Sequence, residues 1–158
     1  MNIQVLFDTN ILVYAANKAS PFHSKAKALR EKAEKGILKT YISIQNLVEF
    51  YAVITDRKRV EKPLSPQVAK EEVKKYLEAD FIRKIYPTEE VLKIAIELGH
   101  KYNICAQRFF DILLVATMLS KGISTIYTIN VNDFKNIKEI KMNCSLKKHI
   151  LTLYHSYG

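Results

Sequence analysis

Four acidic residues stand next to or inside apolar segments, where a carboxylate needs a compensating charge. They are Asp8, Glu49, Asp111 and Asp133. Asp8 directly follows Val5-Leu6-Phe7, and Asp111 lies inside the apolar segment 109–115. A lone buried carboxylate is costly, and a shared divalent metal ion would compensate several at once. Ligands that are all oxygen suit Mg²⁺ or Mn²⁺ better than zinc. The four acids are therefore candidate metal-binding and catalytic residues.

Each of these acids also has an interpretation without a metal. Asp8 would cap a helix that starts near Asn10, and Asp111 would be a first-turn acid favoured by the helix dipole. Glu49 would be an exposed residue on an amphipathic helix, and Asp133 would be a turn residue. Spacing alone leaves open whether the four carboxylates meet in space.

Apolar periodicity predicts the elements that must position these acids. The segment 3–7 is short and apolar, which predicts a strand buried on both faces. Further strands are predicted over 40–42, 81–85, 124–129 and, in the tail, about 137–140 and 150–153. Helices are predicted over 11–16, 22–33, 44–55, 65–77, 88–98 and 109–121, with Ser65 and Thr88 as N-caps.

This alternation of strands and helices predicts an α/β fold with three layers, α/β/α. The central sheet is expected to be mainly parallel and to have about four or five strands. In such folds ligands bind beyond the carboxyl ends of the strands. Asp8 and Asp133 follow predicted strands, so they are expected at that edge of the sheet.

Length and composition limit the class of protein. The 158 residues predict a single domain over 1–158. The two cysteines, Cys105 and Cys144, are expected to be reduced thiols, since neither has the spacing of a zinc site. No segment has the length or apolarity of a signal peptide or a membrane span, so a cytoplasmic protein is expected. The motifs GxxxxGK[ST], GxGxxG, HExxH and GxSxG are absent.

The chain is strongly basic. It has 25 Lys and Arg against 16 Asp and Glu, which gives a net charge of +9. An excess of this size favours a polyanionic partner such as nucleic acid, although solubility is an alternative explanation. The candidate phosphate-binding residues are Arg108 and Lys135, which lie near the candidate ligands in sequence, and Arg57, Lys58 and Arg59 in a basic turn. Each of them is otherwise a solvated surface residue.

Four sequence blocks resemble the PIN-domain family, and within it the VapC-type toxins of toxin–antitoxin pairs. The blocks are Phe7–Ala15, Ile44–Phe50, Asp111–Thr117 and Tyr127–Phe134. Their order and spacing together carry the resemblance, which covers a core from residue 3 to about 135. It implies a PIN-like fold in which Asp8, Glu49 and Asp111 are the three core metal-binding acids.

The fourth acid of the family is less clear in this chain. Many relatives carry an acid two residues after the threonine of the last block, where this chain has Asn130. Asp133, three residues further on, is the alternative for that role. Thr9, Asn10 and Asn130 are expected to support the site through hydrogen bonds.

The resemblance implies an endoribonuclease that depends on Mg²⁺ or Mn²⁺ and hydrolyses RNA phosphodiesters with metal-activated water. It also implies the toxin of a VapBC-type pair, held inactive by a small antitoxin protein, and a homodimer. Two alternatives stay open. One is a PIN-like RNA-binding module without catalysis, which the departure at Asn130 motivates. The other is a PIN nuclease that acts in RNA processing without an antitoxin.

Overall fold

The structure is a computed structural model that describes residues 3–146. The strands are β1 (Gln4–Phe7), β2 (Lys39–Ser43), β3 (Ile82–Ile85), β4 (Thr125–Tyr127) and β5 (Lys141–Asn143). The helices are α1 (Thr9–Ala16), α2 (His23–Glu34), α3 (Ile44–Ile54), α4 (Pro66–Glu78), α5 (Glu89–Lys101), α6 (Phe109–Leu119) and α7 (Val131–Phe134), with a 3₁₀ turn at Ala106–Arg108.

The five strands form one parallel sheet in the order β3-β2-β1-β4-β5. Apolar side chains cover both faces of the sheet, and helices α1 to α4 pack on one face while α5 and α6 pack on the other. The prediction of a three-layer α/β/α fold with a parallel sheet is confirmed.

Strand β1 is the centre of the sheet, as its sequence predicts. Val5, Leu6 and Phe7 are all 0 % exposed. Val5 and Phe7 pack with helices α1 to α4, and Leu6 packs with α5 and α6. Successive side chains of a strand point to opposite faces, so a strand covered on both sides must be apolar throughout. The first polar side chain after β1 is therefore Asp8.

Local sequence signals set several helix ends. The Ser65 hydroxyl accepts a hydrogen bond from the Val68 N–H (3.3 Å), directly before Pro66. The Thr88 hydroxyl accepts one from the Val91 N–H (3.3 Å). Both N-caps were predicted from the preference of helices for Ser and Thr at this position.

The tail differs from its prediction. The strand predicted over 137–140 is wrong, because the fifth strand is β5, at Lys141–Asn143. Ile137 and Ile140 are apolar because they pack into the core from the connection before β5. The strand predicted at 150–153 lies outside the described residues. The short helix α7 was not predicted, since four residues are too few to show a helical period.

Two expectations from composition concern membranes and cysteines. Within residues 3–146, every helix is too short or too polar to cross a lipid bilayer. Cys105 is exposed and Cys144 is half-buried, and both are free cysteines.

Candidate active site

The candidate site lies at the carboxyl ends of β1 and β4. The order of the strands reverses between these two, which is where open parallel sheets bind their ligands. Asp8 directly follows β1, and Thr128 directly follows β4. The Thr128 hydroxyl donates a hydrogen bond to Asp8 Oδ2 (2.7 Å), so the two strand ends are joined at this point.

Asp8 is the most enclosed of the four acids. It is 7 % exposed, and it is the N-cap of α1, where its Oδ1 accepts from the Thr9 N–H (2.8 Å). The Asn10 amide donates to Asp8 Oδ2 (3.2 Å) and to the Thr128 hydroxyl (3.2 Å). Asp8 therefore caps a helix and also faces the candidate site. Its interpretation as a helix cap and its interpretation as a candidate metal ligand are thus compatible.

Glu49, on α3, is held by residues of α1 and α3. The Thr9 hydroxyl donates to Glu49 Oε2 (2.8 Å), and the Gln45 amide donates to Oε1 (3.4 Å). Asn46 is 0 % exposed and donates to the Thr9 hydroxyl (3.1 Å), while its own oxygen accepts from the Ser43 N–H (2.9 Å). Because Asn46 donates to that hydroxyl, the hydroxyl hydrogen is directed to Glu49.

Asp111 lies in the first turn of α6, where the helix dipole favours an acid. The Gln45 amide also donates to the Phe110 carbonyl oxygen (3.0 Å), so a single side chain ties α3 to the start of α6. The amide oxygen of Gln45 is buried and has no hydrogen-bond partner in the structure. This oxygen is an unused acceptor between the elements that carry Glu49 and Asp111.

These acids line one opening, which we call the acidic cleft. It has a volume of about 250 Å³. Its lining consists of Asp8, Thr9, Asn10, Val13, Tyr14, Asn17, Glu49, Val53, Arg59, Val60, Asp111 and Asn130. The structure thus brings together three of the predicted acids and all three predicted supporting residues. Asp133, on α7, is outside this lining.

The four acids still act on one another electrostatically. Burial raises the pKa of Asp8 from 3.8 to about 6, although its hydrogen bonds oppose the rise, and the charges of Glu49 and Asp133 add to it. The pKa of Asp111 rises to about 7, chiefly through burial and then through the charges of Asp133, Asp8 and Glu49. A site in which neighbouring carboxylates raise the pKa of Asp8 and of Asp111 favours added positive charge.

The donor set of the cleft fits a hydrated divalent cation. Within residues 3–146, no three His, Cys, Asp or Glu side chains are grouped closely enough to hold a metal ion directly. The cleft instead offers carboxylate and amide oxygens around an open volume. Mg²⁺ keeps several of its waters and binds proteins through one or two carboxylates, so this open set of oxygens suits it.

Two residues are candidates for the fourth acid position. Asn130 lines the cleft, and its N–H donates to the Thr128 hydroxyl (3.0 Å). Asp133, one turn further on, contributes charge to both Asp8 and Asp111. Which of the two completes the site stays a prediction.

The predicted phosphate-binding residues separate into two groups. Arg59 lines the acidic cleft beside Tyr14, and its charge opposes the rise that burial causes in the pKa of Tyr14. Arg108 donates to the backbone oxygen of Asp133 (3.4 Å) and lowers the pKa of Asp111. The others, Arg57, Lys58 and Lys135, are exposed and lie outside the lining.

Sequence reasoning missed four residues of the site: Tyr14, Gln45, Asn46 and Thr128. A signal was available for two of them. Gln45 and Asn46 precede Glu49 by four and three residues, and this spacing places side chains on one face of a helix. Thr128 and Tyr14 offered no comparable signal, because their roles depend on contacts between distant segments.

Comparisons with known proteins agree with this fold. At 28 % identity, the chain is similar to the ribonuclease VapC48 of Mycobacterium tuberculosis, over 86 % of this chain and 93 % of that protein. Its fold matches VapC20 of Mycobacterium tuberculosis, a toxin that cleaves the sarcin–ricin loop (TM-score 0.65, 18 % identity, 84 % of this chain and 95 % of that one). It also matches VapBC2 from Rickettsia felis, bound to a DNA fragment from the promoter (TM-score 0.63, 19 % identity, 89 % and 98 %).

The family comparison covers most of the chain. The PIN domain model matches residues 5–140. This range includes β2, β3 and β4 and all of β1 except Gln4, and it ends directly before β5. It also includes every residue that lines the acidic cleft. The chain belongs to the PIN-domain family.

Proposed function

We propose that this protein is a divalent-metal-dependent endoribonuclease of the VapC type. The observation that carries the proposal is the acidic cleft, where Asp8, Glu49 and Asp111 line one opening at the strand reversal. The net charge of +9 supports an RNA substrate. The similarity to the ribonuclease VapC48 supports the same reaction.

In this proposal, Asp8, Glu49 and Asp111 would together hold a hydrated Mg²⁺ or Mn²⁺, in part through its waters, with Asp133 or Asn130 as the fourth group. The metal, when bound, supplies a Lewis acid and lowers the pKa of water, so that a nucleophile is available near neutral pH. The chain's own groups orient the ligands. Thr128 and Asn10 hold Asp8.

Arg59 supplies a cation at the wall of the acidic cleft. It is exposed and forms no ion pair within residues 3–146, so its charge is available to a phosphate. Glu49 keeps its orientation through the Thr9 hydroxyl and the Gln45 amide. Fixed ligands reduce the reorganisation that the reaction requires.

We also propose a small antitoxin partner and a homodimer. The VapBC2 assembly, which matches this fold, supports an antitoxin. Light scattering of the purified chain measures its oligomeric state, and a dimer mass is expected. Co-purification with the product of a short neighbouring reading frame tests for the antitoxin. A nuclease that has no such partner would be the variant of this function that acts in RNA processing.

The reaction itself is tested with a mixed pool of tRNA and rRNA in Mg²⁺, in Mn²⁺ and in EDTA. The wild type is expected to yield discrete fragments only with metal, and Asp111→Asn is expected to yield none. Asp80→Asn is the matched control, because Asp80 is an exposed acid outside the cleft. Intact RNA in every lane, with equal RNA binding in Mg²⁺ and EDTA, would instead establish a non-catalytic RNA-binding module.

A further inference from the structure

A second opening adjoins the acidic cleft, and the metal chemistry does not use it. We call it the apolar pocket. It has a volume of about 280 Å³ and shares Val13, Asn17 and Val60 with the lining of the acidic cleft. Pockets for drug-sized ligands span about 300–1,000 Å³, so this one suits a smaller group. Its position makes it accessible to a group attached to whatever reacts in the cleft.

The walls of the apolar pocket are mainly aliphatic. Besides Val13 and Val60, they include Ala16, Ile54 and Leu64. Aliphatic walls favour a group with apolar faces, because burial of such faces removes apolar surface from water. Two faces of a nucleobase meet this description, and its polar edge would point to the open side of the pocket.

Positive charge surrounds the apolar pocket. Lys18 and Lys62 belong to its lining, and Arg59 lies next to Val60 on the side of the acidic cleft. These three cations take part in no ion pair within residues 3–146, and the described lining of the pocket contains no acid. An apolar pocket edged by free cations complements an apolar group that is attached to an anion.

Backbone hydrogen bonds hold one wall of the pocket in place. The N–H groups of Arg59 and Val60 donate to the Asp56 carbonyl (2.9 and 3.0 Å). The Leu64 N–H donates to the Ile54 carbonyl (2.7 Å), which closes the segment back onto the end of α3. These hydrogen bonds fix the backbone of the wall that carries Val60 and Leu64.

We propose that the apolar pocket binds one unpaired nucleobase of the RNA, that of a nucleotide adjacent to the scissile phosphate. The lysines at its edge bind the phosphates that flank this base. This inference rests on the proposed ribonuclease function and specifies its substrate. RNA would have to present an unpaired, unstacked base beside the cut, because a base inside a duplex cannot enter the pocket.

The test is a double-mutant cycle between protein and RNA. Ala16→Leu places a larger side chain in the pocket, and Ala28→Leu makes the same change at an exposed position of α2. Once the cut is mapped, single abasic sites are placed on either side of it. For the wild type and Ala28→Leu, one abasic site is expected to lower kcat/KM by about 10-fold, because the faces of the missing base are no longer buried against the aliphatic walls. For Ala16→Leu the intact RNA is already impaired, and the abasic site adds little.

Fully additive losses for Ala16→Leu and the abasic site, in folded protein, would overturn the proposal. So would a wild type that is insensitive to every abasic position, and the pocket would then fit a side chain of a protein partner better. A second measurement does not depend on cleavage. RNA with one 2-aminopurine, bound in EDTA, is expected to change its emission with the wild type and with Ala28→Leu but not with Ala16→Leu.

The two measurements separate the two proposals. One outcome is that the wild type shows no metal-dependent cleavage, while its 2-aminopurine emission changes on binding and Ala16→Leu removes that change. This outcome would contradict the proposed nuclease activity but support a base-binding pocket. Metal-dependent cleavage without any response to Ala16→Leu would support the nuclease and overturn the pocket. Binding measured by anisotropy confirms in each case that RNA is bound.

Discussion

Asp8 illustrates how one side chain serves both stability and chemistry. Its Oδ1 caps α1 through the Thr9 N–H, and its Oδ2 accepts from Thr128 and Asn10. Removal of the carboxylate would therefore leave donors of α1 and the Thr128 hydroxyl without their partner. Substitutions at Asp8 combine a loss of folding stability with a loss of activity, so a loss of activity is assigned to chemistry more directly at Asp111.

The raised pKa values of Asp8 and Asp111 predict how stability depends on pH without metal. Their folded-state values are about 6 and 7, against an ordinary 3.8. Between about pH 4 and pH 7 the folded chain holds more protons than the unfolded chain, so these two groups make the free energy of unfolding fall as pH rises. The penalty is complete above about pH 7 and absent below about pH 4.

Thermal denaturation in EDTA measures this effect. Asp111→Asn is expected to unfold a few degrees above the wild type at pH 8, and by a clearly smaller margin at pH 5, where only part of the penalty applies. Mg²⁺ at pH 8 is expected to stabilise the wild type more than the variant, because it compensates the charge that Asn lacks. Equal melting temperatures at both pH values would contradict this account of Asp111.

Thr9 is expected to control how well Glu49 is oriented. Thr9→Val removes the hydroxyl that donates to Glu49 and accepts from Asn46, with little change of shape. Loss of such a supporting hydrogen bond typically costs about 10–100-fold in metal affinity or activity. Calorimetry with Mn²⁺ measures the affinity, and Thr9→Ser, which keeps the hydroxyl, should retain most of it. If both variants bind Mn²⁺ like the wild type, Thr9 does not orient Glu49.

At the scale of residues, the sequence predicted the charges of the site better than its hydrogen bonds. Asp8, Glu49 and Asp111 were identifiable because an acid in an apolar segment is unusual by itself. The bond between Thr128 and Asp8 joins residues 120 positions apart, and nothing local to either residue marks it. Side-chain networks of this kind become visible only when the sheet order is known.

At the scale of elements, the turn after α6 positions β4 and hence Thr128. Gly122 has a φ of 72°, and its N–H donates to the Leu119 carbonyl (2.9 Å). The Ile123 N–H donates to the Met118 carbonyl (3.0 Å), and the Ile123 side chain enters the core at 0 % exposure. The left-handed conformation here lets the chain turn directly from helix to strand.

Gly122→Ala is expected to destabilise the fold through the backbone alone. A Cβ at this position would meet no atom within 4 Å, so the cost comes from the positive φ and is about 1–2 kcal/mol. Gly122→Asn should cost less, because Asn tolerates this conformation better. Urea denaturation measures both, and the ranking Gly above Asn above Ala is the expected outcome. An Ala variant as stable as the wild type would contradict the backbone argument.

The elements themselves were largely predictable, and the exceptions have a common cause. Helices α3, α4 and α5 carry apolar residues at helical spacing, so a helical period appears in their sequence. Strand β5 has three residues and α7 has four, which is too short for any period. Ile137 and Ile140, which pack into the core from the connection before β5, led to the wrong prediction of a strand there. Long-range packing, rather than local preference, decides such segments.

At the scale of the whole molecule, the charge of +9 predicts that RNA binding depends steeply on salt. Each phosphate contact to single-stranded RNA contributes a slope of about −0.7 in a plot of log K against log salt. With Asp111→Asn, which leaves RNA intact, Arg59→Ala is expected to reduce the magnitude of this slope by about 0.7. Lys70→Ala, an exposed site on α4, should leave it unchanged. An unchanged slope for Arg59→Ala would place Arg59 outside the phosphate contacts.

The separation of Asp8 and Thr128 by 120 residues also has a consequence in time. Synthesis proceeds at about 5–20 residues per second, so a ribosome needs about 6–24 s to pass from Asp8 to Thr128. During that interval the nascent chain carries Asp8 but lacks β4, which completes its surroundings. The hydrolytic centre can therefore exist only after Thr128 and β4 have been synthesised, and an inhibitor that is already present has about 6–24 s in which to bind before that point.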